Sequence, residues 1–452
     1  MVEPRIFREY DIRGVWEDDL TLEAVKAIGR AYAVYLKKGV SKEQPRITIG
    51  YDARLSSPII SDGLTEVLTA SGVDVVEIGI CPTPVQYFSM RHLNTDGGIM
   101  ITGSHNPAEF NGLKLTVGQE TIYGAKIQDV RKLVDEGAST AGSGMIEKFD
   151  ANKAYMEYVR PLFGDLSGIK VVVDAGNGTG GIVGPQLMRA LGADVIELFC
   201  EPDGMFPNHH PDPVVLKNLT HMIDEVKKTG ADLGIGFDGD ADRIGVVDEA
   251  GNAVWGDRLM IIYSRDMLEE KKGAAVIGEV KCSQTLYDDI TSHGGEAIMW
   301  KTGHSLIKKK MKESGALLAG EMSGHIFFAD RYYGYDDAPY AALRLLEILK
   351  KKGAPYRVGR LLEGVPETFS TPEIRVDCPD DKKFTIAPKM KEAFKDYPVI
   401  DIDGVRINFP EGWGLIRASN TQPALVLRFE AKDEASLKKI QTTVEAELNR
   451  VI

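Results

Sequence analysis

Three aspartates, Asp238, Asp240 and Asp242, alternate with small residues in the stretch FDGDADR (237–243). Carboxylates at i, i+2 and i+4 of a loop can converge on one hard cation, and without it they repel. A small, strongly hydrated ion such as magnesium suits them. It is held by few carboxylates and takes phosphate oxygens as further ligands. A solvated acidic turn is the plain alternative. The small Gly239 and Ala241 between the acids, and the apolar run LGIGF that leads in, speak against it. A calcium loop is excluded. Glu249 stands at the twelfth position from Asp238, but Arg243 takes the sixth, where that loop needs glycine.

Three further loops carry polar chemistry. In ITGSHNPAEFNGLK (101–114), Ser104 follows an apolar run and precedes a His-Asn-Pro turn, which predicts an exposed hydroxyl. Taken alone it reads as a turn residue more readily than as a nucleophile. No G-x-S-x-G elbow is present, and His105, adjacent in sequence, is poorly placed as a base. In AGEMSGHIFF (319–328), Glu321, Ser323 and His325 alternate on one side of an expected extended segment. They suit the vicinal hydroxyls of a sugar, and a polar strand edge accounts for them equally. In GLIRASNTQPAL (414–425), Arg417, Ser419, Asn420 and Thr421 offer a guanidinium, hydroxyls, an amide and turn N–H groups. That set makes a phosphate cradle or a capped turn.

Two glycine patterns point elsewhere. GNGTGG (176–181) follows the run VVVDA and precedes a helical pattern, and Glu197 ends the next apolar run. This is the dinucleotide fingerprint with its ribose acid, so a nicotinamide dehydrogenase stays open as the second reading. GIGFDG (234–239) also matches but runs into the acidic loop rather than a helix.

These loops need elements to hold them. Short apolar runs alternate with amphipathic helical patterns: RITIGYD (46–52), VDVVEIG (73–79), GGIMITG (97–103), IKVVVDAG (169–176), ADLGIGFD (231–238) and AAVIGEV (274–280) are examples. Near-continuous apolar strands between helices predict an α/β fold with mainly parallel, doubly buried sheets. One helix is expected over 20–38, with Leu22, Val25, Ile28, Tyr32 and Leu36 on one stripe. Another is expected over 216–230, stopped by Gly230. In open α/β sheets, ligands sit beyond the carboxyl ends of strands, and each polar loop of the α/β part lies there. Three α/β units are expected, over 1–150, 151–253 and 254–366. In the tail, 367–452, DGVRINF and ALVLRFEA read as strands and EASLKKIQTTVEAELNRV as a closing helix, a small α+β module.

The 452 residues fit three or four domains, and the net charge of −13 excludes a nucleic-acid binder. No signal-peptide pattern or membrane-length apolar run is present, and Cys81, Cys200, Cys282 and Cys378 lie far apart. Scattered thiols without ligand spacing fit the cytoplasm.

Taken together, the motifs FREYDIRG (7–14), TGSHNP (102–107), DAGNGTG (174–180), FPNHHPDP (206–213), DGDADR (238–243), WKTGHS (300–305), GEMSGH (320–325) and RASNTQP (417–423) resemble the α-D-phosphohexomutase superfamily, in particular its bacterial phosphomannomutase/phosphoglucomutase group. The likeness runs along essentially the whole chain. It implies three related mixed α/β domains and a C-terminal α+β, TATA-binding-protein-like domain around a central cleft. It implies reversible conversion of mannose or glucose 1-phosphate into the 6-phosphate, through a phosphoserine and a hexose 1,6-bisphosphate. Ser104 would carry the phosphoryl group, with Asp238, Asp240 and Asp242 on magnesium and a phosphoserine oxygen as a further ligand. His105 and Arg243 would contact the phosphoserine. Lys114, His325 and Arg13 would act at the transferring group, Lys114 and His325 as candidates for proton transfer. Glu321 and Ser323 would hold the sugar 3- and 4-hydroxyls. Arg417, Ser419, Asn420 and Thr421 would hold the unreacting phosphate, and Tyr10, Lys281 and His304 would add contacts. Many members have glycine where this chain has Ala241. A phosphatase using the same serine and metal, and a non-catalytic sugar-phosphate sensor, are the remaining alternatives. The expected partners are small hexose phosphates, with no nucleic acid and no membrane, and a monomer is one expectation for the assembly.

Overall fold

The serine loop is too short to be anything but a hairpin. Between the strands Gly97–Ile101 and Phe110–Val117 the chain has fewer residues than the dozen or so a parallel crossover needs. The two strands therefore pair antiparallel, with Ile101 opposite Leu113 and Met100 opposite Lys114. The hairpin makes the sheet mixed, with Phe110–Val117 running against both its neighbours in an otherwise parallel order. Its order is Ile12–Val15, Phe110–Val117, Gly97–Ile101, Arg46–Tyr51, Asp74–Ile80 and Ile146–Lys148. The last four of these strands pair parallel, and Ile12–Val15, antiparallel to Phe110–Val117, runs the same way as they do.

The computed structural model describes residues 2–420 and 423–452. The chain divides into two compact units, Met1–Tyr263 with Ser323–Leu361, and Ser264–Met322 with Leu362–Ile452. Besides the sheet above, the first unit holds a second, ordered Ala253–Val254, Ile244–Asp248, Leu233–Phe237, Lys170–Asp174 and Asp194–Leu198. Here too the acidic loop is a hairpin: Phe237 pairs with Ile244 on its far side, antiparallel. The strands Leu233–Phe237, Lys170–Asp174 and Asp194–Leu198 run parallel.

Helices form where the apolar spacing required. Thr21 caps Leu22–Val40 by accepting from Ala24 N, and Val25, Ile28, Tyr32 and Leu36 are fully buried on its inner face, while Leu22 is half-buried at its start. The pattern over 216–230 splits into a 3-10 turn, Leu216–Leu219, and an α-helix, Thr220–Thr229, ended by Gly230 in the left-handed region. Among the described residues no helix is long and apolar enough to cross a membrane.

In the second unit the strands Glu296–Trp300, Ala275–Glu279 and Leu318–Gly320 run parallel, with Ala275–Glu279 between the other two. The tail forms an antiparallel sheet ordered Phe369–Ser370, Ala424–Ala431, Gly412–Ala418, Val405–Phe409 and Val399–Ile400. Helices Asp380–Ala393 and Glu434–Val451 bury Ile386, Met390, Ile440, Val444 and Leu448 against its Ile416, Leu427 and Phe429. This is the expected α+β module. Trp413 and Leu415 pack with Val280. The guanidinium of Arg406 lies 3.8 Å over the Trp413 ring and donates to the Val280 and Cys282 carbonyls, both at 2.9 Å.

Removing that indole leaves a cavity under a buried cation. Trp413→Ala is therefore expected to destabilise the second unit by about 3–5 kcal/mol. A thermal melt followed by tryptophan-independent circular dichroism measures the loss, and a midpoint within a degree or so of wild type would refute it.

Candidate active site

Ser104 sits in the left-handed region, with φ 50°. That conformation costs a non-glycine residue roughly 1–2 kcal/mol, so the surroundings must impose it. Its amide donates to Thr102 Oγ1 at 2.7 Å. Its Oγ lies 3.2 Å from Asp238 Oδ2 and 3.1 Å from His105 Nδ1. Two expectations are corrected here. The serine is buried rather than exposed, 3% accessible, because the acidic loop packs onto it: a Cβ on Gly239 would lie 2.6 Å from the Ser104 carbonyl oxygen. And His105, although adjacent in sequence, does reach the hydroxyl, because the left-handed turn brings its ring back over Oγ. Burial, reinforced by the nearby Arg243 and Arg13 cations, pushes the His105 imidazole well below its usual value and keeps it neutral.

Asp238, Asp240 and Asp242 are buried, with carboxylate oxygens all within 4.8 Å of one another. Each is braced differently. Asp238 Oδ1 accepts from the amides of Asp242 and Arg243, both at 3.1 Å. Asp240 Oδ2 accepts from Thr83 Oγ1 at 2.6 Å, and Thr83 opens the helix Thr83–His92, whose N-terminal dipole favours negative charge. Lys114 Nζ bridges Asp240 (2.8 Å) and Asp242 (2.6 Å). Burial pulls the Lys114 ammonium down, but these two carboxylates outweigh it and hold the group well above the ordinary lysine value. Asp240 is correspondingly held below the usual range, burial opposing and Lys114 prevailing. Asp238 has only the more distant Arg243, 4.0 Å away, and burial followed by its two acidic neighbours outweighs that cation and pushes its carboxyl well up. Asp240 Oδ1 and Asp242 Oδ1 are buried without a hydrogen-bond partner. Two orphaned carboxylate oxygens beside a third acid form a donor set fit for a hard divalent ion. Ala241 stands at φ 56°.

Around this centre the first unit gathers more of the expected residues. Arg13 Nη1 donates to Asn106 Oδ1 at 2.9 Å, and Nη2 pairs with Asp11 at 2.5 Å. Arg243 Nε donates to His325 Nε2 at 2.9 Å, and His325 Nδ1 lies 3.1 Å from Asp336 and 3.5 Å from Asp242. Ser323 and Tyr10 are half-buried in loops of this unit. The expected extended segment from Glu321 to His325 is a turn at 322–324 instead, with Gly324 at φ 88°. The side chains therefore do not line one edge. Glu321 belongs to the second unit, while Ser323 and His325 belong to the first.

The second unit joins the remaining residues through shared carboxylates. Lys281 Nζ lies 3.0 Å from Glu373 and 3.7 Å from Glu279. Burial lowers its affinity for the proton, yet the two acids hold it above the ordinary value, and Lys281 in turn draws the Glu373 carboxyl down to about 2. Glu279 also accepts from Thr302 Oγ1 at 2.7 Å. Glu321 Oε1 accepts from the Gly303 amide at 2.6 Å, just before His304, which opens the helix His304–Ser314. Asp403 accepts from both Thr302 N (3.1 Å) and Arg417 Nε (3.0 Å). The Ser419 amide donates to Ala424 O at 2.9 Å, closing the hairpin that carries the half-buried Asn420, and Thr421 lies outside the described residues.

Family models for the four phosphoglucomutase/phosphomannomutase domains match residues 4–140 (α/β/α domain I), 153–251 (domain II), 255–369 (domain III) and 373–447 (C-terminal domain). The chain belongs to this family. A phosphomannomutase/phosphoglucomutase of Pseudomonas syringae pv. tomato is 47% identical over 448 residues, covering 99% of this chain and 95% of that one. A phosphoglucomutase of Neisseria gonorrhoeae is 43% identical, covering 98% and 96%. A crystal structure of a phosphoglucomutase/phosphomannomutase family protein from Burkholderia thailandensis superposes with a TM-score of 0.93 at 40% identity, covering 100% of this chain and 98% of that one.

The dehydrogenase reading is overturned by membership and by packing. The glycines of GNGTGG face protein, not a dinucleotide: a Cβ on Gly178 would sit 2.7 Å from the Gly239 carbonyl oxygen, and one on Gly181 would overlap the Cys200 carbonyl. Thr179 N donates to Gly239 O at 3.0 Å. The expected ribose acid, Glu197, is paired with Arg189. The turn's work in this phosphohexomutase is to brace the acidic loop from below. Several residues of the site were passed over in the sequence: Asp52, Arg54, Thr83, Glu279, Asp336 and Asp403. For Asp52 and Arg54 a signal existed. The triplet DAR follows the strand Arg46–Tyr51 at its carboxyl end, where the other site loops also lie.

Two outcomes follow from the acidic loop. Magnesium is expected to raise the thermal midpoint, by the equivalent of about 2.7 kcal/mol at a hundred times its dissociation constant, and Asp240→Asn to abolish most of the increment. A flat melting curve against magnesium for the wild type would show that the triad holds no such ion. Ala241→Gly is expected to stabilise the protein by up to about 1 kcal/mol by relieving the left-handed alanine. A lowered midpoint in the same melt would contradict that reading.

Proposed function

We propose that the chain reversibly converts mannose and glucose 1-phosphates into 6-phosphates, with Ser104 as phosphate carrier and a hexose 1,6-bisphosphate as intermediate and activator. The observation that carries this is the Ser104 hydroxyl set against the buried acidic triad, 3.2 Å from Asp238. In the first half-reaction the free sugar hydroxyl attacks the phosphoserine phosphorus. The new sugar O–P bond forms as the Oγ–P bond breaks, and the hydroxyl proton passes to a base. After the bisphosphate turns over, Ser104 Oγ takes the other phosphoryl group by the reverse chemistry. Such transfer depends on in-line placement and charge stabilisation more than on covalent help. Magnesium held by Asp238, Asp240 and Asp242 would neutralise charge on the phosphoryl oxygens.

The protein's own groups divide the remaining work. Lys114, which bridges two of the acids, and His325, with Arg243 on one side of its ring and Asp336 on the other, are the two candidates for moving the sugar proton. Arg13, His105 and Arg243 hold the phosphoserine. Glu321 and Ser323 take the 3- and 4-hydroxyls, which glucose and mannose share. Arg417, Ser419, Asn420 and Thr421 grip the distal phosphate, with Tyr10, Lys281 and His304 as further contacts. In this reading the segments 1–150, 151–253, 254–366 and 367–452 contribute the serine, metal, sugar and phosphate loops in turn. All come from one chain, so a monomer suffices. The four cysteines are buried and free, which supports a cytoplasmic setting.

Intact mass of the purified protein, incubated with glucose 1,6-bisphosphate, is expected to show one added phosphoryl group that Ser104→Ala never acquires. Both 1-phosphates should yield 6-phosphates with magnesium and a trace of bisphosphate. Release of inorganic phosphate in place of the 6-phosphate would sink the mutase reading.

A further inference from the structure

The guanidinium of Arg54 is wholly buried, 0% exposed. It has five N–H donors, and every one finds an acceptor. Nε donates to Asp52 Oδ2 at 3.0 Å. Nη1 donates to the carbonyls of Pro107 and, at 2.9 Å, of Phe110. Nη2 donates to the carbonyls of Asn106 (2.6 Å) and Ser104 (2.9 Å). Four of the five acceptors are thus main-chain oxygens of the serine loop. Asp52 completes the grip by accepting from the Gly103 amide at 3.0 Å. Gly103 leaves the room for it: a Cβ there would lie 2.4 Å from Arg54 Nε and 2.5 Å from its Cζ.

Ser104 needs something to hold it at φ 50°. We propose that Arg54, with Asp52, is the positioning residue for phosphoryl transfer, fixing the left-handed turn so that Oγ stays aimed at the acidic loop. This rests on the phosphoserine reading above. Arg54 reaches the Ser104 carbonyl rather than its Oγ, and it acts through the loop carbonyls. Lysine keeps the charge opposite Asp52 but brings three donors on a point charge in place of five in a planar fork. At least two loop acceptors then lose their partner, and the turn loosens while the buried ion pair survives.

The test compares three variants with wild type. Arg54→Lys and Gly103→Ala both disturb the grip, the second by displacing the guanidinium. Arg344→Lys is the control, because Arg344 is as deeply buried and pairs with Asp330 at 2.8 Å, yet holds no part of the serine loop. Steady-state assay of both 1-phosphates is expected to show kcat lowered on the order of 100-fold in the first two, the cost of a misplacement of about 1 Å, with KM little changed. The rate at which glucose 1,6-bisphosphate phosphorylates Ser104, followed by intact mass, should fall in parallel. Arg344→Lys should keep its kcat even where its melting temperature drops as far. Should Arg54→Lys fail to fold, Gly103→Ala carries the comparison. A kcat within about threefold of wild type, a rise in KM at unchanged kcat, or an equal loss in Arg344→Lys would overturn the assignment. A wild type that never takes phosphate on Ser104 would instead overturn the mutase reading itself.

Discussion

Three carboxylates buried within 4.8 Å of one another are the constraint on which the first unit is built. Taking a charge out of water costs several kcal/mol unless it is paired, and like charges at this spacing add to the cost. One ammonium, Lys114, serves Asp240 and Asp242 but leaves an oxygen of each without a hydrogen bond. Helix Thr83–His92 adds its N-terminal dipole and the Thr83 hydroxyl, and two loop amides serve Asp238. The remainder calls for a divalent cation, and that need is what makes the place suited to a phosphoryl group. Backbone packing follows from the same requirement. Because Gly178, Gly239 and the Ser104 carbonyl stack without intervening side chains, the hydroxyl comes within reach of the acids. Lys114 arrives because the serine hairpin sets it opposite Met100, on the strand that leads directly into the loop.

A second device recurs in both units. A loop that packs inward buries carbonyl oxygens that strand pairing no longer satisfies, and each needs a donor. Arginine supplies five from one side chain. Arg54 serves the Ser104 loop in this way. In the second unit Arg406 takes the Val280 and Cys282 carbonyls, and Arg428 takes that of Lys281. The serine and lysine loops are different in sequence and in proposed role, yet each is pinned by a buried guanidinium reaching it from another strand or loop. Asp403 does the converse with its carboxylate, tying the Thr302 amide to the Arg417 guanidinium.

The acidic loop, the α/β alternation and the α+β tail were legible in the sequence because each is local. Residue spacing alone states that three acids at alternate positions converge, and that Val25, Ile28, Tyr32 and Leu36 share a helix face. The antiparallel return of Phe110–Val117 went unread, because apolar runs by themselves suggested parallel strands and the shortness of the serine loop shows only once its flanking strands are known. What stayed hidden depends on contacts between segments far apart in the chain. Thr83 meets Asp240 across 157 positions, and Arg54 meets Ser104 across 50. The GNGTGG turn misled for the same reason. Its glycines signal close backbone approach, and only the fold reveals that the approaching backbone is Gly239 rather than a pyrophosphate. Ser104 was read as exposed because its local sequence carries no sign of the loop that covers it.

Strain is distributed unequally between the units. Among the described residues, every non-glycine residue with positive φ belongs to the first unit, and two of them, Ser104 and Ala241, belong to the two loops that meet at the Ser104–Asp238 contact. Each left-handed residue costs roughly 1–2 kcal/mol, and such conformations persist only where the surroundings over-determine them. The second unit, which carries Glu321 and Arg417, has no such non-glycine residue among those described. The difference matches the unequal demands of the proposed reaction. A phosphate carrier must present one oxygen along one line in both half-reactions, so its backbone is held at an energetic cost. Residues that grip a sugar or a distal phosphate must accept the bisphosphate in either orientation. For that work hydrogen bonds from ordinary strand ends and hairpins suffice, and strained backbone would only restrict which orientation could be bound.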